Sequence, residues 1–299
     1  MKLEWALATL VAGGTAGSAG LPAKPPTSPA VAVNYNRGIG WSGSVAIEIQ
    51  LAGDSTILTT FNDDGRSEIG LWRAVVPPAK FDQLLELLHH SGYTQIPTST
   101  TVPPGTKLVS IGERMPGQDL PILHSFVSLP EPLVPTVTFL EGLQSEIRAH
   151  PLRVLRGQAA WKNSTVARGE SAILEVTLAN VGTSPLHIAN PLAEASGWSG
   201  LRLVWKQGAA GGEQQEDLTA SDLRLEAGAS RVALLPLAPS QSIRFKVSKK
   251  IALPQGRHAS RLEYHSVRDP IGDAQFIGGV VCIDLGEITV TSGPWWKVW

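Results

Sequence analysis

Val45, Ile47, Ile49 and Leu51 alternate with Ala46, Glu48 and Gln50. A period of two places the apolar set on one covered sheet face, so this stretch predicts a half-buried strand. Residues 55–61, rich in Thr and Ile, and 69–76, carrying Trp72, predict two more strands, with Asn62-Asp63-Asp64-Gly65 as the hairpin turn between them. Pro77-Pro78 stops the sheet, and the period then changes. Phe81, Leu84, Leu85, Leu87 and Leu88 fall at helical spacing and Gly92 follows as a stop. Residues 107–112 and 120–127 predict strands, and Leu133, Val137, Leu140, Leu143 and Ile147 predict a second amphipathic helix closed by His150-Pro151. The order β-β-β-α-β-β-α over 31–150 predicts an α+β unit, an antiparallel sheet with both helices on one face.

From residue 151 the helical period is gone. Strands are predicted at 152–161, 172–179, 186–190, 201–206, 231–235, 242–247, 259–267, 275–283 and, after a break at Gly286, 287–291. Residues 207–217 are polar and contain glycine, so they predict an exposed loop. Many short strands separated by turn signals predict a β-sandwich over 151–292. The turn residues carry a resemblance. Gly169-Glu170, Leu178-Ala179-Asn180-Val181-Gly182, Pro185-Leu186-His187-Ile188, Leu237-Ala238-Pro239-Ser240-Gln241-Ser242-Ile243-Arg244-Phe245 and Leu253-Pro254-Gln255-Gly256-Arg257-His258 resemble the immunoglobulin-like domains common in bacterial exported proteins. The resemblance covers residues 155–291 and implies a fold, not an activity. Some such modules, including a bacterial class similar to proteinase inhibitors, act by binding another protein.

The first 30 residues stand outside both patterns. Lys2, the apolar run from Trp5 to Ala12 and the small residues Gly13 to Gly20 follow the plan of a secretory signal peptide, predicted over 1–19. Its apolar core is too short to span a bilayer, and no later segment predicts a membrane helix. Four prolines between Leu21 and Ala30 predict an extended linker over 20–30. An exported chain, periplasmic or secreted, is the expectation. The 25 basic and 26 acidic side chains nearly cancel, and without a basic stripe no nucleic-acid partner is expected.

Catalytic patterns fail on context. Gly38-Ile39-Gly40-Trp41-Ser42-Gly43 fits a dinucleotide fingerprint, but it leads into a strand where phosphate binding requires a helix N-terminus. Gly40-Trp41-Ser42-Gly43 and Gly197-Trp198-Ser199-Gly200 each fall one residue short of a hydrolase elbow. Cys282, the single cysteine, lies in an apolar run and reads as a buried structural thiol. His89 and His90 diverge on a helix, one packed and one solvated. Glu263 and His265 share a strand face and read as a surface pair; with Asp269 and Asp273 they could supply metal ligands, but lack the alternation of a calcium loop. No metal and no cofactor is expected.

The end of the chain, Pro294-Trp295-Trp296-Lys297-Val298-Trp299, forms a tryptophan-rich tail over 293–299. Tryptophan is enriched at interaction hot spots. Trp295, Trp296 and Trp299, with Trp41 and Trp198 at the two turns, are therefore the candidate partner-binding residues, though a tail folded onto the sandwich explains the last three as well. The function expected is a non-catalytic envelope protein that binds another protein, of inhibitor or immunity type. The alternatives are a hydrolase whose site, around Asp63, Asp64 or His124, has no local motif, and a structural accessory module.

Overall fold

The computed structural model describes residues 30–39, 42–52, 55–62, 67–98, 106, 108–191, 200–207, 212–219, 221–225, 234–266 and 273–292. It is β-rich, with two helices and large antiparallel sheets. Four strands come first: β1 (Ala32–Ile39), β2 (Ser42–Ala52), β3 (Ser55–Asn62) and β4 (Glu68–Val76). Strand β1 was not among those expected. It is Asn- and Arg-containing, and its described core side chains, Ala32, Val33 and Tyr35, make too short an alternation to stand out. Helix α1 (Pro78–His90) begins with proline in its first turn, which needs no N–H there, and ends before Gly92 at φ +60. Strands β5 (Leu108–Arg114) and β6 (Ile122–Phe126) precede helix α2 (Val134–Ile147).

The remaining strands are β7 (Pro151–Trp161), β8 (Thr165–Ala167), β9 (Ser171–Asn180), β10 (Leu186–Ala189), β11 (Gly200–Gln207), β12 (Gly212–Leu218), β13 (Leu223–Leu225), β14 (Leu234–Leu237), β15 (Ser242–Lys250), β16 (Gly256–Ser266) and β17 (Gly279–Thr291). Two differ instructively from expectation. Part of the polar loop expected at 207–217 is strand β12, paired with β11 from Leu201↔Leu218 to Gln207↔Gly212. It is the end strand of its sheet, and its charge-rich face is what an edge exposed to water favours. Gly286 does not break β17. It takes φ +68, its N–H is bonded 2.9 Å to the Asp284 carboxylate, and the register with β16 shifts at that point. The glycine makes a bulge, not a stop.

Ten strands form one sheet in the order β13-β15-β9-β7-β4-β3-β2-β1-β5-β6, and five form a second, β12-β11-β16-β17-β8. The boundary expected between residues 150 and 151 falls where β7 starts. Strand β7 pairs with β4 on one side (Glu68↔Arg156, Ile69↔Leu155) and with β9 on the other (Leu155↔Asn180), so the sheet is continuous across it. The described residues form two apolar cores. Helices α1 and α2 cover Tyr35, Ile47, Ile49, Trp72, Ile111 and Val154. The five-stranded sheet covers Ile69, Leu155, Leu174, Val176 and Phe245 with Leu203, Trp205 and Tyr264. Successive residues of a strand point to opposite faces. Val154 and Leu155, both fully buried, therefore put the two cores on opposite faces of the shared sheet.

Candidate functional site

Strand β6 is one end of the ten-stranded sheet, and β13 is the other. Strand β6 pairs with β5 from Val109↔Phe126 to Glu113↔Ile122, and among the described residues no strand lies beyond it. Gly112 sits opposite Leu123, and a Cβ added there would run into the Ile122 carbonyl, so glycine is required for β6 to lie this close. Edge strands are usually blunted by charged side chains. This one is not: of residues 120–130, none is Asp, Glu, Lys or Arg. Leu120, Ile122 and Leu123 are 64%, 57% and 44% exposed. Ile122 and Leu123 point to opposite faces, so the edge is apolar above and below.

A polar cluster lies against that edge. Glu113, on β5 opposite Ile122, is only 5% exposed, and His89 Nε2 at the end of α1 stands 2.5 Å from its Oε1. Burial, and then the Glu113 charge, push the Tyr93 hydroxyl up to about 12. The Tyr93 ring meets His124 of β6 edge-on at 5.0 Å, and His124 Nδ1 is buried without a hydrogen-bond partner. His90, the other member of the pair, bonds the Glu86 carbonyl of its own helix at 2.8 Å.

Two further clusters belong to the second half of the chain. His187 Nδ1 and Asp273 Oδ2 are 2.6 Å apart, and the Gln275 N–H donates to Asp273 Oδ1 at 2.8 Å. Burial raises the Asp273 carboxyl, but the bonds from His187 and Gln275 outweigh it and hold the group below its ordinary value. Arg153 of β7, almost fully buried, donates to the Ala274 carbonyl. On the five-stranded sheet Glu213, Arg261, Glu263 and His265 form a chain. Arg261 is bonded to Glu213 at 2.6 and 3.0 Å and its Nε donates to Glu263 at 2.9 Å; His265 Nε2 lies 3.0 Å from the other Glu263 oxygen. The His265 bond above all holds the Glu263 carboxyl below its ordinary range, against the opposing effect of burial.

These positions revise some expectations. Glu263 and His265 do pair, but Glu263 is 8% exposed and not a surface residue. Asp273 is engaged by His187, away from Glu263, and Asp269 lies outside the described residues. Among the described residues no group of three or more His, Cys, Asp or Glu side chains suits a metal ion. Cys282 is half-buried on β17, opposite Glu263. The candidate partner-binding tryptophans Trp41, Trp198, Trp295, Trp296 and Trp299, and also Asp63 and Asp64, lie outside the described residues. Sequence reasoning passed over Glu113, although it occupies an apolar phase after Val109 and Ile111, where a charge is itself a signal. It also passed over Arg153 and His187, whose partners are 121 and 86 residues away.

No protein-family model matches the sequence, and neither does any curated protein. Among solved structures, similarity extends to the alkylpurine DNA glycosylase AlkC of Pseudomonas fluorescens bound to DNA (10% identity, 46% of this chain and 30% of that one, TM-score 0.26). It extends also to a CARDB domain from Pyrococcus furiosus (10% identity, 47% and 90%, TM-score 0.24). A third is the sporulation control protein Spo0M of Bacillus subtilis (13% identity, 48% and 51%, TM-score 0.28). The chain thus spans less than a third of the glycosylase and about half of the sporulation protein. At these scores no property of those proteins transfers to this one.

Proposed function

We propose that this chain is a non-catalytic protein-binding protein, exported to the bacterial envelope or medium, that takes up its partner along the free edge of its long sheet. In this reading residues 31–150 form an α+β unit and 151–292 an immunoglobulin-like sandwich, a format suited to inhibitor or immunity proteins. One observation carries the binding role: β6 presents an uncharged edge with Ile122 and Leu123 exposed on it and Leu120 exposed just before it. Such an edge is a template for another strand, with backbone bonds supplying affinity and the apolar side chains selecting the partner. The test compares the full chain with an Ile122→Lys, Leu123→Lys variant in capture from the envelope and medium of the producing cells. The reading expects a specific protein, either another chain or a second copy of this one, bound by the first and lost by the second. Equal capture by both, or none by either, would sink it. Fractionation checks the export, which predicts processing near residue 19 and recovery outside the cytoplasm.

The hydrolase alternative draws on one observation, the His187–Asp273 pair, in which a carboxylate fixes an imidazole at 2.6 Å as it does in many general bases. If it held, Asp273→Asn would abolish turnover of a broad panel of ester and amide substrates while leaving β6-dependent capture intact. A wild-type chain inert on the whole panel removes this alternative.

A further inference from the structure

We infer that the strand taken up by β6 is β6 of a second copy of this chain, giving a twofold dimer in which two ten-stranded sheets run on into each other. The inference rests on the reading of β6 as a binding edge and names its occupant. Charge complementarity is the argument. A homotypic antiparallel pair places each strand against itself, and any Lys, Arg, Asp or Glu near the centre would confront like charge. Residues 120–130 contain none of these, so a second copy of the strand meets no like charge among them.

Symmetry fixes the register. In an antiparallel ladder hydrogen-bonded and non-hydrogen-bonded pairs alternate. A twofold axis can therefore pass only through a residue facing its own mate, because an axis between two adjacent pairs would exchange unlike pairs. The middle residue of β6 (Ile122–Phe126) is His124. Centred there, all five residues pair: His124 faces the mate's His124, Ile122 faces the mate's Phe126, and Leu123 faces the mate's Ser125. The 57% exposed Ile122 then lies beside the ring of Phe126, which its own core leaves 3% exposed, and Leu123 is covered on the other face. Such an interface is isologous, as a closed dimer requires. A five-residue strand pair with its flanks lies at the small end of protein interfaces, so the dimer is expected to dissociate on dilution.

The test uses the full chain. Sedimentation over a concentration series should show a monomer–dimer equilibrium that shifts to monomer on dilution, as a small interface does. Ile122→Lys, at a solvent-exposed position, should abolish it without altering the circular dichroism spectrum. In a Cys282→Ser background, oxidised His124→Cys should cross-link in dimer form, because directly opposed residues have Cα atoms about 4.5–5.5 Å apart, within disulfide reach. Ser125→Cys should not, because its mate is a diagonal neighbour about 7–8 Å away. A chain monomeric at all concentrations, a dimer that Ile122→Lys leaves intact, or cross-linking of the Ser125→Cys variant but not of the His124→Cys variant each overturns the inference. A monomer that still captures a foreign protein, with capture lost in Ile122→Lys, overturns the second copy as occupant and leaves the edge as a binding site. Loss of both overturns the two together.

Discussion

Asn180 shows how much one buried polar side chain settles. It is fully buried at the end of β9; its Nδ2 donates to the carbonyls of Ser184 and Leu237 at 2.9 Å each, and its Oδ1 accepts the Gly182 N–H at 2.9 Å. Gly182 is held close by the same turn, since a Cβ there would lie 2.5 Å from the Leu152 carbonyl oxygen. The local Asn-x-Gly turn was legible in the sequence; the bond to Leu237, 57 residues on, was not. Asn180→Ala removes these three bonds at a fully buried site, and urea denaturation should show a loss of about 3 kcal/mol. Glu263 makes a prediction in pH. Its carboxyl is held below the ordinary 4.5, so the ionised form stabilises the fold. That contribution is present above the unfolded value and lost as pH falls through the lower folded value. Glu263→Gln should therefore lower the melting temperature near neutrality, and the two proteins should converge as pH drops below 4.5. A gap that persists in acid would mean that ionisation of Glu263 is not its source.

At the scale of elements, legibility followed how one-sided each element is. Both helices and β2 have one wet and one dry face, and their periods announced them. Strands β1 and β12 did not, the first because its core side chains are few, the second because five polar residues in a row cannot alternate. The free edge was equally hard to see: residues 120–127 read as a strand, but that nothing described lies beyond it is a matter of sheet order, which no local pattern contains. The pairing of β6 itself depends on Gly112. Gly112→Ala drives a methyl group into the Ile122 carbonyl and should detach β6. Hydrogen exchange read by mass spectrometry should then accelerate in 122–126 and leave β9, β15 and β16 protected. Uniform acceleration throughout would show that β6 does not open separately.

At the largest scale, the described residues build two cores on opposite faces of the ten-stranded sheet. The change from mixed to pure β character near residue 150 was visible in the chain, but it marks a change of packing partners and not a gap, because β7 is bonded to β4 and β9 alike. The seam is tight. Gly70, at φ +138, lets β4 approach Arg153, and any Cβ there would strike the Arg153 carbonyl. Calorimetry should find the wild-type chain unfolding in one transition and Gly70→Ala splitting it in two, since the substitution opens the seam while touching neither core's side chains.

A shared strand also bears on how such a chain could have been assembled or could be taken apart. A gene cut between codons 150 and 151 would release two polypeptides with raw edges, β4 on one and β7 on the other, each able to find the wrong neighbour. Made separately they should precipitate; made together they should find each other along Ile69 and Leu155 and rebuild the sheet without a peptide bond between them. The protein would then behave as one fold written in two sentences, and its halves could be exchanged only with partners that bring a matching edge.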